Sequence, residues 1–348
     1  MSQQKTPSWL PYGLSLALLY VTFPLIWMGG LVTTYDAGMA VPDWPSTYGY
    51  NLFLYPWSSW IGGPWDLFVE HGHRLLASLA GLIAIALVVV TQRYEPRAWV
   101  RRFAVGALAL VILQGVLGGA RVLLDQRTVA MVHACVGPLF FMYAGAMACF
   151  TEPAWRQVEQ RLPTSAGSKA TRLAWITLGL AFVQLVLGAN LRHIRVDASA
   201  ATFRAFALFH IGMAFVVLGH AVALAIRGRH PDVPKLVRGG CTRVAVLVTL
   251  QVALGVATWT MKYGWPIWLP TPAFAHGLVV LNEGLIQSMT VTAHMAIGSM
   301  ILIHTLVAAV RGSRMMSDVP VLAAGEAEQS SVVSRFASEG SQLQECVA

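Results

Sequence analysis

Glu70-His71-Gly72-His73-Arg74 sets a carboxylate, two imidazoles and a guanidinium at the mouth of an apolar run that continues through Val90. Ionisable groups in such a place are costly, and they point to function. Glu70 and His73 are three residues apart, so on a helix they share a face. A carboxylate and an imidazole on one face can serve a metal and a proton together. His71 lies about 200° of helical turn from His73, so only one of the two can point inward. Sharing a face with Glu70 favours His73.

The elements that must hold this face are membrane helices. Of the 348 residues, 56% are hydrophobic and 11% charged, against roughly 25% charged in a soluble domain. Eight apolar runs can be read, at about 12–34, 71–91, 103–122, 129–150, 173–191, 205–226, 244–262 and 290–310. Each is near the length of about 20 residues that crosses a bilayer. The net charge of +8 is no nucleic-acid signal, because the basic residues sit in particular linkers. The first run has no small-residue cleavage site after it and reads as a retained helix. Cys135, Cys149, Cys241 and Cys346 are scattered and form no Cys-x-x-Cys, so neither a disulfide framework nor a zinc site is expected.

Basic residues orient the runs. The second, fourth and sixth linkers carry Arg93, Arg97, Arg101 and Arg102, then Arg156, Arg161, Lys169 and Arg172, then Arg227, Arg229, Lys235, Arg238 and Arg243. The first linker, 36–69, and the seventh, 263–289, have no lysine or arginine. Both termini are therefore expected to be cytoplasmic. The expected division is a cytoplasmic N-terminus over 1–11, an N-terminal four-helix half over 12–150, a cytoplasmic linker over 151–172, a C-terminal four-helix half over 173–312 and a disordered cytoplasmic tail over 313–348. Arg121, Arg127, Arg192, Arg195 and Arg204 run against the charge trend at the outer face. Either short loops tolerate them or they bind an anionic group there. The first linker, with Asp36, Pro42-Asp43-Trp44-Pro45 and Trp57, Trp60 and Trp65, is long enough to fold over the outer end as a lid. The seventh, with Trp265, Trp268, His276 and Glu283, reads as its counterpart.

An internal repeat runs through the odd-numbered helices. Gln114-Gly-Val-Leu-Gly118, Gln184-Leu-Val-Leu-Gly188 and Gln251-Val-Ala-Leu-Gly255 recur at one depth, and Gly29-Gly30 lies at a similar depth in the first run. One copy is ordinary helix packing; three argue for duplication of a four-helix unit. The even helices carry histidines near the outer face instead: His71 and His73, His133, His210 and His294. Helices two and four thus offer one pair, helices six and eight another. Facing histidines in a bundle can hold haem iron as axial ligands. Copper or zinc is conceivable, but two ligands per site without further carboxylates or thiolates suit a porphyrin better. His220 and His304 lie ten residues beyond His210 and His294, about 80° off the first face, and positions 83 and 143 in the first half are Ile83 and Tyr143. Packing is the expectation for His220 and His304. His193, His230 and His276 fall in linkers and are expected to be solvated, with His276 able to line the lid.

Over roughly residues 13–312 these residues resemble the haem A synthase family. The resemblance rests on Gly29-Gly30-Leu31-Val32-Thr33 leading to Pro42-Asp43-Trp44-Pro45, on Glu70-x-x-His73-Arg74, on Leu117-Gly118-Gly119-Ala120-Arg121, and on the histidines of helices four, six and eight. It implies an all-α membrane protein with eight transmembrane helices in two pseudo-symmetric four-helix bundles. It implies an oxidoreductase that converts the C8 methyl of haem O to a formyl group by successive hydroxylations, supplying haem A to terminal oxidases. On that pattern, His210 and His294 hold a haem b cofactor and its iron, His73 and His133 take the substrate haem O, and Glu70 is essential for the oxidation. Arg74, Arg121, Arg127, Arg192 and Arg204 are then candidate propionate contacts. The implied partners are haem O synthase, cytochrome oxidase assembly, a quinone as electron acceptor, the lipid bilayer and a second copy of the chain, with no nucleic acid. The implied location is the cytoplasmic (inner) membrane of a bacterium. Many bacterial relatives carry a cysteine pair in the first outer loop; here that stretch reads Met39-Ala40-Val41-Pro42 and then Ser46-Thr47, without cysteine. The second half has no Glu-x-x-His before His294, as expected of a half that keeps a cofactor and does no chemistry. The rival readings are a bis-histidine cytochrome b moving electrons across the membrane and a haem transporter. The cytochrome reading accounts for the histidines but not for Glu70 or the asymmetric halves, while the internal duplication allows the transporter.

Overall fold

A computed structural model describes residues 8–195, 197–265, 270–273, 276, 280–282 and 284–318. The expected tail begins too early: Ser313–Met315 are still helical and Met316–Ser317 pair with Leu162–Pro163, while residues 319–348 with Cys346, and Trp268 and Glu283 of the seventh linker, lie outside the described residues. Eight helices among the described residues are long and apolar enough to cross a membrane. They are α1 (Leu10–Thr34), α2 (Trp65–Tyr94), α3 (Ala98–Leu124), α4 (Arg127–Thr151), α5 (Ser165–Arg192), α6 (Ala200–Gly228), α7 (Lys235–Tyr263) and α8 (Leu285–Met315). The protein is an all-α membrane protein; its only sheet among the described residues is a two-residue parallel pairing of Leu162–Pro163 with Met316–Ser317.

The helices outrun their apolar runs because backbone hydrogen bonding continues into polar flanks. α5 starts at Ser165, well ahead of residue 173, where the Thr164 hydroxyl accepts from the Gly167 N–H at 3.2 Å. Ser199 caps α6 in the same way through the Thr202 N–H at 3.1 Å. In hydrocarbon every polar group needs an internal partner. Buried hydroxyls accordingly bond one turn back along their own helix, Ser15 to Pro11 O and Thr22 to Leu18 O at 2.6 Å each, Thr305 to Ile301 O at 2.6 Å.

Within the first half α1 packs on α2, α2 on α3, α3 on α4 and α4 on α1. The second half repeats that cycle, α5 on α6, α6 on α7, α7 on α8 and α8 on α5. Lipid tails are as apolar as leucine, so close approach falls to small residues. Ala80 and Ala84 on α2, Ala104 and Ala107 on α3, and Ala170 and Ala174 on α5 are buried at helical spacing, while Leu82, Ile85, Ile112, Phe209, Phe215 and Ile226 stand exposed toward lipid. The halves meet through α1, α4, α5 and α8. Gly30 of α1 lies against Met295 and Thr292 of α8, and Gly145 of α4 against Ile303.

At the end opposite the histidines, an ion cluster ties the linkers together. Glu95, fully buried, accepts from Arg97 Nε at 2.7 Å and Arg156 Nη2 at 2.7 Å, and Arg97 also donates to Phe150 O at 2.7 Å. Burial alone would raise the Glu95 pKa; the hydrogen bonds and charge of Arg97, with the charge of Arg156, more than offset it and hold the carboxyl below its ordinary value. Arg311 pairs with Glu152 at 2.7 Å nearby.

Candidate functional site

Each of the four histidines stands at a like depth. His73 is eight residues past the start of α2, His133 six past that of α4, His210 ten past that of α6 and His294 nine past that of α8. His73 faces His133 with ring centres 6.4 Å apart, and His210 faces His294 at 6.3 Å.

The repeat on the odd helices explains the seating. A Cβ added at Gly29 would lie 3.0 Å from His73 Cε1. The corresponding distances are 3.2 Å at Gly118 to His133, 3.0 Å at Gly188 to His210 and 3.2 Å at Gly255 to His294. Every ring rests in the gap left by a missing side chain on the preceding helix. Sequence reasoning found these glycines as a packing repeat and missed that each one seats a histidine. The glutamines one turn earlier reach the same histidines: Gln114 Nε2 donates to His133 O at 3.2 Å and Gln184 Nε2 to His210 O at 3.0 Å.

Glu70 is 1% exposed and lies under the first linker. Its Oε1 accepts from Arg74 Nη2 at 2.7 Å, with Arg121 at 3.9 Å; its Oε2 is buried with no hydrogen-bond partner among the described residues. Arg74 is the clamp for the linker. Nη1 donates to Asp43 O at 2.6 Å and Ser46 O at 2.9 Å, and Nη2 to Val41 O at 2.8 Å as well as to Glu70. The linker's turn is held by the Asp43 carboxylate, which accepts from the Tyr48 N–H at 2.8 Å and the Gly49 N–H at 2.9 Å. Burial would raise the Asp43 pKa, but these donors and the Ser46 side chain hold it below its ordinary value. Trp44 lies against Gly119, where an added Cβ would collide with the indole, and Arg121 donates to Gly38 O at 3.3 Å. In Leu117-Gly118-Gly119-Ala120-Arg121, then, one glycine seats a histidine, the next seats the linker's tryptophan, and the arginine reaches both linker and carboxylate.

His71 is turned away from His73 and holds the linker. It is 2% exposed, its Nδ1 lies 3.1 Å from Thr47 Oγ1, and Tyr55 and Trp60 box its ring at 5.2 Å each. Arg192, at the end of α5, donates to Gly30 O at 2.7 Å and Thr34 Oγ1 at 2.6 Å. Arg127 is exposed and donates to Ile194 O at 3.1 Å, and Arg204 is exposed on the first turns of α6. His193 corrects an expectation. Instead of being solvated, its Nε2 is buried, and burial together with Arg192, Arg121 and Arg127 pushes its pKa down to about 4. No linker pattern marks that residue; it is buried by the helix end that precedes it. His220 and His304 each bond a carbonyl of their own helix, Val216 O at 2.8 Å and Met300 O at 2.9 Å.

Two imidazoles on opposite sides of one ion, with metal–nitrogen bonds of about 2 Å, have ring centres roughly 6 Å apart. Both pairs meet that requirement. Among the described residues no group of three or more His, Cys, Asp or Glu could hold a metal ion by itself. Among the described residues each pair offers two imidazole nitrogens, which would fit an ion whose remaining ligands come with it, as in a porphyrin.

The sequence matches the profile of the cytochrome oxidase assembly protein family, COX15-CtaA, over residues 65–205. It is 32% identical over 186 residues to a Symbiobacterium thermophilum protein named Heme A synthase, covering 52% of this chain and 58% of that one. It is 25% identical over 187 residues to an Exiguobacterium sibiricum protein of the same name, 52% of this chain and 60% of that one. A third of that name, from Chelativorans sp., is 33% identical over 128 residues, 35% of each chain. The match thus spans about three fifths of the length of the first two relatives. The family profile's span, residues 65–205, takes in Glu70, Arg74, Arg121, Arg192 and, with His73 and His133, one whole histidine pair. Over residues 65–205 the chain is thus similar to the COX15-CtaA family of cytochrome oxidase assembly proteins.

Proposed function

We propose that this protein is a haem A synthase, an oxidoreductase that oxidises the C8 methyl of haem O to a formyl group and so supplies haem A for cytochrome oxidase assembly. The observation that carries the reading is the unequal duplication. Two histidine pairs have closely similar spacing, 6.4 and 6.3 Å, and among the described residues only the first has a buried carboxylate on its face. His73 and His133 take haem O as substrate. His210 and His294 would hold haem b, whose iron would supply one-electron acceptance, with a quinone as the final acceptor. The protein lies in the cytoplasmic membrane of a bacterium with both termini and the Glu95 cluster on the cytoplasmic side. Haem O synthase delivers the substrate.

With water as the oxygen donor, conversion of a methyl to a formyl group releases four electrons and four protons, and the protons need a local acceptor. Glu70 provides it. Oε1 is fixed by Arg74, and Oε2, buried and unpartnered among the described residues, is the atom that takes the proton. The first linker, pinned by Arg74 and by Trp44 on Gly119, excludes bulk water from the carboxylate. Arg121 presents positive charge beside the first pair and Arg192 beside His294 of the second, and each could pair with a haem carboxylate. Haem extraction from cells that express the chain beside a haem O source tests the reading. Haem A should form in the wild type; Glu70→Gln should accumulate haem O or a hydroxylated intermediate. Two equivalents of haem b with no haem A would instead assign a bis-histidine cytochrome.

A further inference from the structure

The duplication is broken a second time, deeper than the histidine pairs. Aligning the halves on Gln114 with Gln251 and on His133 with His294 sets Phe103 against Gly240, Gly106 against Arg243 and Tyr143 against His304. In the first half this place is filled. The Tyr143 ring stacks on Phe103 with centres 3.9 Å apart, and its hydroxyl lies over Gly106 and donates to Phe103 O at 3.0 Å. In the second half both rings are gone. There α7 and α8 leave a groove of about 230 Å³ lined by Thr242, Arg243, Val246, Leu247, Met300 and His304. Two polar groups border it. His304 Nδ1 lies 2.9 Å from Met300 O, which only accepts, so Nδ1 carries the proton and Nε2 keeps a lone pair. That Nε2 has no partner among the described residues, and Arg243 has there neither a hydrogen bond nor an ion pair.

Depth narrows what the groove can hold. α8, with 31 residues, is about 46 Å long against about 30 Å of hydrocarbon. His304 stands about 16 Å from its Met315 end, and Arg243 about 12 Å past the Lys235 start of α7. Both positions fall just inside the hydrocarbon, below the level of lipid phosphates. A charged headgroup drawn to that depth is costly. We propose that the groove binds a quinone, which takes electrons from the His210–His294 site. A quinone ring is neutral. Its oxygens accept from a guanidinium as carbonyls and donate to an imidazole as hydroxyls, and its apolar tail suits the wall of Val246, Leu247 and Met300. The groove lies on the helix that carries His294, about 15 Å along it. Reduction adds two electrons, delivered singly from that site, and two protons from water at the Glu95 end, one O–H bond forming at each ring oxygen. His304 is the side chain placed to pass a proton to one of them. In the substrate half the stacked Phe103 and Tyr143 leave no such seat, so electrons have their exit beside the resident pair.

The proposal rests on the haem reading of the pairs and on a quinone as acceptor, and the test separates these. The full-length chain in phosphatidylcholine nanodiscs is loaded with haem b, reduced, and mixed with decylubiquinone in a stopped-flow spectrophotometer. Reoxidation should saturate with quinone concentration. His304→Leu and Arg243→Leu should each raise the half-saturating concentration roughly tenfold, the order of one lost hydrogen bond. Val246→Trp, which fills the groove from its exposed lipid side, should do so at least as strongly. His220→Leu, at a like depth on α6, should match the wild type. Haem content and spectrum should be the same in all, which tells a lost site from general damage. If a leucine variant does not accumulate, Val246→Trp decides. Saturable reoxidation unmoved in these variants overturns the groove as the site. So does phosphatidylglycerol binding that is lost in Arg243→Leu while reoxidation is unchanged, which would assign the groove to an anionic lipid. Haem that decylubiquinone does not reoxidise overturns the acceptor, a wild-type chain that binds no haem overturns the haem reading, and the proposal falls with either.

Discussion

Gly188→Ala on α5 is the sharpest probe of how the resident pair is built. The added Cβ would lie 3.0 Å from His210 Cε1 and 3.5 Å from its Nδ1. Carbon atoms settle at about 3.5–4.0 Å, so the ring must retreat by roughly half an ångström. It has little room, because the ring centre already stands 6.3 Å from that of His294. Overpacking of this kind costs about 1–3 kcal/mol. If it falls on the His210 contact to iron, haem affinity drops roughly 5- to 150-fold. The same helix supplies the control. A Cβ at Gly179 meets nothing within 4 Å, and alanine in place of glycine favours a helix by about 1 kcal/mol. Gly179→Ala should therefore load haem like the wild type. Haem is titrated into each purified variant and followed through its absorbance and pyridine haemochrome content. Equal affinity and equal spectra in Gly188→Ala and Gly179→Ala would refute the seating argument, since the two differ only in what the new methyl touches.

Two further outcomes are expected. Arg74→Lys keeps the charge beside Glu70 but cannot span the carbonyls of Val41, Asp43 and Ser46 from one ammonium. Limited proteolysis within residues 36–64 should speed up several-fold while the His210–His294 site keeps its haem; unchanged cleavage would show that the clamp is not what holds the linker. Glu95→Gln leaves Arg97 and Arg156 without their carboxylate, and breaking a buried pair in this way costs roughly 3–5 kcal/mol, read as a lower thermal unfolding midpoint. The folded-state pKa of Glu95 lies below its unfolded value. Its stabilisation is therefore complete above the unfolded pKa of about 4.3 and is lost as pH falls through the folded value. The wild type should lose stability in that acid window, and Glu95→Gln should show a flatter profile there.

Much of the architecture could be read in advance because hydrocarbon imposes a simple rule: apolar length. That rule finds helices but not their ends. The run at 173–191 lies inside Ser165–Arg192 because the polar turn Ser165 to Arg172 is helical outside the apolar core. The histidines could be placed from helix order alone, and their geometry in pairs follows from the packing cycle that is the same in both halves. Glu95 was not singled out, since a carboxylate among arginines in a basic linker looks like any solvated charge until Arg97 and Arg156 close on it. Nor could the partners of Arg74 be foreseen. Three of its four acceptors are main-chain carbonyls, which every residue possesses and no residue type advertises.

Arg192 joins the halves at a telling place. Gly188, which seats His210, is one helical turn before Arg192 on α5. Arg192 in turn grips the carbonyl of Gly30, next to Gly29, which seats His73. One helical turn and one hydrogen bond of 2.7 Å thus connect the seat of a histidine in one pair to the seat of a histidine in the other. The connection works as a ruler. Electron tunnelling falls off steeply with separation, so a pair of redox centres on two loosely docked bundles would exchange charge at a rate that wandered with every fluctuation of the interface. Here the gap between the two histidine pairs is set by covalent helix and a buried guanidinium, so that, with haem bound at both as proposed, traffic between them would keep a constant tempo while lipid moves around them.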